Sequence, residues 1–167
     1  MNEGVFSVSA SNLEIGLSQK GEYKICSFSG MNALKSQLMW GHYANAGMGV
    51  AIELEVSNCS QIHEVVYNDS TENLNNVKAI LTRKSLEWAH EEEFRYLSKN
   101  QKSKVKFGKI SKIYFGTPYR ALINYDEIEK NHEKLKEYLK QNDRLKAFSK
   151  KKRIETEDYG FSSLRTG

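Results

Sequence analysis

Apolar and polar positions alternate along several short stretches of the chain, which predicts β-strands. The alternation is cleanest at residues 50–56, where Glu53 and Glu55 would face one side. The opposite, apolar side would carry Val50, Ile52, Leu54 and Val56. Further strands are predicted at residues 23–29, 61–67, 93–97, 110–115, 144–148 and 153–159.

Apolar residues recur at helical spacing in three other stretches, which predict helices over residues 32–43, 74–88 and 125–139. Asn32 would cap the first helix. The buried face of the third would carry Ile128, Leu135, Tyr138 and Leu139. Because strands and helices do not alternate strictly, the pattern favours an α+β fold with a twisted, mostly antiparallel sheet and packed helices over a doubly wound parallel sheet.

The size and composition are those of an ordinary globular protein, with 167 residues, 39% hydrophobic and 28% charged. This length predicts a single domain over residues 1–167, with the weakly patterned residues 1–20 as a loose arm. No stretch approaches the roughly 18 apolar residues of a membrane span. The first residues lack the basic and apolar regions of a secretory signal, so we expect a cytoplasmic protein in which Cys26 and Cys59 are free thiols.

Charge is unevenly distributed along the chain. Residues 1–93 contain 12 acidic and 6 basic residues, whereas residues 94–167 contain 9 acidic and 19 basic residues. A basic half of this kind predicts contact with nucleic acid or another polyanion. The alternative is a solvated basic face that keeps the protein in solution.

The first candidate motif runs from Leu38 to Ala44 and places an indole, an imidazole and a phenol just before a glycine turn. Aromatic faces can stack on a planar ring such as nicotinamide or a nucleic-acid base. Trp40, His42 and Tyr43 are therefore candidate ligand-binding residues, and the glycines would let a ligand approach the backbone. The alternative is a helix end whose aromatic rings lie in the core.

The second candidate motif is Lys84-x-x-x-Trp88-x-x-Glu91-x-Glu93-x-Arg95. A strand that begins near Glu91 would place Glu91, Glu93 and Arg95 on one face. We expect Glu93 to be partly buried, paired with Arg95 or Lys84, and within reach of the first motif. A carboxylate so placed can stabilise a positively charged, sugar-like transition state. The alternative is an exposed, ion-paired strand face.

No metal site is predicted, because the histidines and cysteines show no zinc-ligand spacing.

The two motifs, in this order, resemble the bacterial domain-of-unknown-function family twenty-nine seventy-one over residues 23–161. The resemblance is carried by Phe28-Ser29, residues 38–44, 47–54 and 84–95, and the strand at 110–116. Members of that family are distantly similar to ADP-ribosyltransferases, which cleave NAD and transfer ADP-ribose.

The resemblance implies an ADP-ribosyltransferase-like fold and an NAD-dependent transferase acting as a toxin or defence factor. Glu93 would be the catalytic glutamate, Glu91 would orient the acceptor, and Tyr43 would take the middle catalytic position. Trp40, His42, Tyr43 and Arg95 would contact NAD, and the acceptor would be a nucleic acid or a protein.

The family's N-terminal segment has no counterpart in residues 1–22. In the transferases that segment supplies the residue that grips the NAD ribose. The excess of basic residues in 94–167 motivates a second hypothesis. In it, the chain is a non-catalytic nucleic-acid- or protein-binding module that retains the fold.

Overall fold

The computed structural model describes residues 18–57, 60–70, 76–99, 107–117 and 133–160. The chain divides into two compact units. The first unit comprises Met1–Ala33 and Asn58–Val105, and the second comprises Leu34–Ser57 and Lys106–Gly167. Most of the predicted N-terminal arm lies outside the described residues, and residues 18–20 are helical.

Besides the helical residues 18–20, eight strands, three α-helices and two 3-10 helices are defined in these ranges. The 3-10 helices are Met31–Lys35 and Leu86–Glu91. The other elements, in chain order, are β1 (Lys24–Ser29), α1 (Gln37–Tyr43), β2 (Val50–Val56), β3 (Ile62–Glu64), β4 (Val66–Tyr67), α2 (Val77–Leu81), β5 (Arg83–Lys84), β6 (Glu93–Ser98), β7 (Gly108–Gly116), α3 (Glu133–Lys152) and β8 (Glu155–Tyr159).

The first unit is built on an antiparallel sheet with the strand order β1-β6-β3. Its core forms where Val77 and Leu81 of α2 pack with Leu97 of β6 and with Tyr23. The short strands β4 and β5 form a separate, two-stranded parallel sheet in this unit. The sheet and α2 therefore share one small apolar core.

Two sequence predictions in the first unit are wrong. The strand predicted at 61–67 breaks at Val65, because β3 pairs with β6 whereas β4 pairs with β5. The helix predicted at 74–88 is shorter, since the Asn76 side chain caps α2 at its start and the Thr82 hydroxyl bonds the Lys78 carbonyl oxygen at its end. Its predicted residue Leu74 lies outside the described residues.

The second unit is built on a mixed sheet with the strand order β2-β7-β8. Strand β2 pairs antiparallel with β7, and β8 pairs parallel with β7 on the other side. Trp40, Ala44 and Tyr114 form the buried cluster of this unit. The ring of Tyr159 stacks on Trp40 at a centroid distance of 5.5 Å and closes the cluster.

The helix predicted over residues 32–43 is two helices. A 3-10 helix covers Met31–Lys35, and α1 begins after Ser36, whose hydroxyl accepts a hydrogen bond from the Met39 N–H. The predicted cap Asn32 instead donates to the Glu92 carboxylate. A serine placed directly before an α-helix competes well for the capping position, which explains where α1 starts.

Helix α3 contains the segment at 144–148 that alternation had predicted to be a strand. The helix continues because Leu145 and Ser149 recur one turn apart on its inner side, and the Ser149 hydroxyl bonds the Leu145 carbonyl oxygen. Arg153, with φ of 55°, ends it. Leu139, predicted to be buried, is 52% exposed, and residues 118–132, which include Ile128, lie outside the described residues.

The α+β prediction is confirmed, since helices and strands are mixed without strict alternation. The strands in the described residues form three sheets rather than one, and β8 is parallel to β7. Parallel pairing is the expected result of a long connection that contains a helix, here α3. The strand predicted at 50–56 is confirmed as β2, although Ile52 is exposed and Glu53 is half-buried.

We expect Trp40→Ala to lower the free energy of unfolding by about 3–5 kcal/mol. The indole is 3% exposed, and its Nε1–H donates to the Leu34 carbonyl oxygen at 2.8 Å. Leu38→Ala on the same helix is the matched control, because that side chain is exposed and should change stability by less than about 0.5 kcal/mol. Urea denaturation measures both, and equal losses would show that Trp40 is not a core anchor.

Candidate functional site

Glu93 is the first residue of β6, and it is buried although it carries a charge. The residue is 5% exposed. In the sheet it lies opposite Ser29 of β1. A carboxylate this deeply buried must be paired or hydrogen-bonded, because transferring a bare charge out of water is very costly.

Arg95, two residues further along β6, supplies the main counter-charge. Its Nε and Nη2 donate to the two oxygens of Glu93 at 2.7 and 3.0 Å, so the pair is bidentate. Its Nη1 donates to the Leu81 carbonyl oxygen at 2.6 Å, at the C-terminal end of α2. Arg95 therefore holds the carboxylate in a fixed orientation and ties it to the helix.

Lys84 of β5 joins Glu91 and Glu93. Its ammonium group contacts the Glu91 carboxylate and lies 3.3 Å from the Glu93 Oε2. It also lies 4.9 Å from the ring centroid of Trp88, which is half-buried rather than a core residue. We call Lys84, Glu91, Glu93 and Arg95 the Glu93 cluster.

Two more hydroxyl groups contact Glu93, and the sequence alone did not single them out. The Ser27 hydroxyl hydrogen-bonds the carboxylate. The Tyr67 hydroxyl accepts a hydrogen bond from the backbone N–H of Glu93 at 2.7 Å. Both come from strands distant in sequence, so no local spacing could have revealed them.

The pKa of Glu93 follows from these contacts. Burial by itself raises the pKa, but the hydrogen bonds from Arg95 and Ser27 and the charges of Arg95 and Lys84 outweigh it and lower the pKa to about 2. Burial likewise tends to lower the pKa of Lys84, and the two glutamates outweigh it and raise that pKa. Glu93 is therefore ionised at any physiological pH.

The backbone brings Glu91 to the cluster in a way that differs from the prediction. Glu91 is the last residue of the 3-10 helix rather than part of β6, so it does not share a strand face with Glu93 and Arg95. Glu92, with φ of 45°, turns the chain between them. The Gly30 N–H, just after β1, donates to the Glu92 carbonyl oxygen at 2.8 Å and holds this turn against the strand.

The residues of the first motif belong to the second unit. Trp40 is buried in the core, so its ring offers no exposed face to a ligand. His42 and Tyr43 are exposed on α1, Tyr43 by 64%. The predicted stacking of His42 and Tyr43 on a ligand stays a prediction.

The glycines after α1 serve the fold of this unit directly. Gly47 has φ of 84°, which suits glycine. A Cβ atom at Gly49 would lie 2.9 Å from the Ala44 Cα, and one at Gly116 would lie 2.2 Å from the Gly47 carbonyl oxygen. Neighbouring backbone, rather than a ligand, therefore makes the close contacts with these glycines.

The described residues offer few features of other types of site. The described residues contain no group of three or more His, Cys, Asp or Glu side chains that could hold a metal ion. Cys26 is a free thiol, and Cys59 lies outside the described residues. In the part of the chain that the structure describes, no helix is long and apolar enough to cross a membrane.

No protein-family model, curated protein or solved structure matches this chain.

We expect the stability of the protein to depend on the ionisation of Glu93. Its folded pKa of about 2 lies below its ordinary value of 4.5, so its contribution is fully present above about pH 4.5 and is lost as the pH falls toward 2. The free energy of unfolding, measured by urea denaturation at each pH, should therefore fall between about pH 4.5 and 2 in the wild type. Glu93→Gln should make this fall shallower. Glu64→Gln, exposed on β3, is the control and should leave it unchanged. Identical acid curves for the wild type and Glu93→Gln would rule out this contribution.

Proposed function

We propose that this chain is an ADP-ribosyltransferase-like protein that uses NAD as co-substrate and Glu93 as its catalytic carboxylate. The observation that supports the proposal best is the buried, ionised Glu93, held in one orientation by the bidentate Arg95. The choice of NAD rests on the order and spacing of the two sequence motifs. The proposed site uses residues of the first unit alone.

The chemistry requires a carboxylate that is charged before the substrate reacts. When the bond between ribose and nicotinamide breaks, its electron pair leaves with nicotinamide and positive charge develops on the sugar ring. A fixed negative charge in a site of low dielectric stabilises that transition state without having to reorient. With its pKa lowered to about 2, Glu93 meets the requirement.

The neighbouring residues fit supporting roles. Glu91 is held beside Glu93 by Lys84, which suits a second carboxylate that orients the acceptor. Ser27 is exposed while its hydroxyl contacts Glu93, so it is a positioning residue on the solvent side of the carboxylate. Arg95 bonds Glu93 and the Leu81 carbonyl oxygen, so its role is to position the carboxylate.

Glu93→Gln should reduce nicotinamide release from NAD by roughly 100-fold or more, the loss typical when one electrostatic contact to a transition state is removed. The assay incubates the protein with labelled NAD, with and without protein or nucleic-acid acceptors, and measures nicotinamide and transferred label. Gln retains the shape of the side chain, which makes it a better probe than Ala at a buried site.

Two controls separate catalysis from folding. Glu64→Gln removes an exposed carboxylate from the same sheet and should leave the rate unchanged. Thermal melting of each variant shows whether lost activity is lost structure. The proposal fails if the folded wild type releases no nicotinamide above background with any acceptor, or if Glu93→Gln releases it equally fast.

A further inference from the structure

The outward side of α3 carries a row of basic residues. An α-helix turns by about 100° per residue, so five of these basic side chains lie within roughly 120° around the helix axis. All are exposed, and we call them the basic face: Lys136, Lys140, Arg144, Lys150 and Lys151. The half-buried Tyr138 and Leu145 and the buried Ser149 lie on the opposite side of the helix.

The same arc also carries two exposed acidic residues, Glu133 and Asp143, so five basic and two acidic residues leave the basic face a net charge of +3. The acidic residues of β8 pair elsewhere: Asp158 with Lys146, and Glu155 and Glu157 with Lys112, each at 2.7 Å. Within the basic face, Lys140 has one weak pair with Glu137 at 3.9 Å. The other four members form no ion pair with any described residue. Such a surface attracts a partner that carries several negative charges.

An aromatic ring lies at the border of the basic face. Phe148 is 48% exposed, one helical turn from Arg144 and from Lys151. The Nζ atom of Lys152 lies 6.0 Å from its ring centroid. Exposed aromatic rings among basic residues are typical of proteins that bind single-stranded nucleic acid. The basic side chains pair with the phosphates, and the nucleobases stack on the aromatic ring.

We propose that α3 binds single-stranded nucleic acid, with phosphates along the basic face and a nucleobase on Phe148. From Lys136 to Lys151 the helix rises about 22 Å, which is long enough for a row of phosphates. An anionic membrane fits less well, because the inner side of α3 is already occupied: the Tyr138 hydroxyl bonds the Gly116 carbonyl oxygen of β7. This proposal concerns the second unit alone and does not depend on NAD chemistry.

The test measures binding of the full chain to a fluorescent 20-nucleotide single strand by anisotropy, as a function of salt. Binding should weaken steeply as salt rises. The triple variant Lys136→Gln, Arg144→Gln, Lys151→Gln should lower the slope of log affinity against log salt by about 2, since each phosphate contact on a single strand contributes about 0.7. The matched control, Lys20→Gln, Lys35→Gln, Lys109→Gln, removes three exposed charges elsewhere and should leave the slope nearly unchanged.

Phe148→Leu tests the stacking contact while retaining an apolar side chain. It should weaken single-strand binding by roughly 5- to 100-fold without changing the salt slope. Duplex of the same sequence should bind more weakly than the single strand and should be insensitive to this variant.

Four outcomes would overturn the proposal. They are no binding at low salt, equal losses in the two triple variants, full affinity in Phe148→Leu, and tighter binding to phosphatidylserine vesicles than to the single strand.

Discussion

The buried charge of Glu93 is the constraint on which the first unit depends. An ionised carboxylate inside a protein is tolerated only when cations and hydrogen-bond donors replace the water it has lost. Here Arg95 comes from the same strand and Lys84 from β5, while Ser27 comes from β1. One charge therefore fixes the relative positions of three strands, and through Arg95 it also fixes the end of α2.

An arrangement of this kind contributes less stability than its short distances suggest. A well-packed apolar group of similar volume is often as stable as a buried ion pair, because both charges must be desolvated. What the ion pairs contribute is orientation, because Arg95 binds both oxygens of Glu93 and so fixes the plane of the carboxylate. Chemistry that depends on a fixed negative charge has a use for such an orientation, which is why the Glu93 cluster is the candidate site.

The sequence predicted the charge pairs of the Glu93 cluster but misjudged how the backbone builds it. Two glutamates, a lysine and an arginine at short spacing were enough to predict that Glu93 would be buried and paired. The spacing suggested one continuous strand, whereas a left-handed residue at Glu92 separates Glu91 from β6. That turn is held by the Gly30 N–H, which donates to the Glu92 carbonyl oxygen from a segment distant in sequence, so local pattern could not reveal it. For Trp40 the choice between a ligand platform and a core residue likewise depended on burial.

By itself, the sequence determined the mixed α+β class, the strands at 50–56 and 110–115, and the identity of the paired charges. These follow from residue type and from periodicity along the chain, which are local properties. Only the tertiary structure decided where the helices end and which strands pair, as at Val65, where the chain passes from one sheet to another. It also decided that residues 144–148 are helical, since Lys146 in that segment contacts the Phe115 ring of β7 and pairs with Asp158 of β8. Such contacts join residues far apart in sequence, and their energy exceeds the small local preferences that a pattern records.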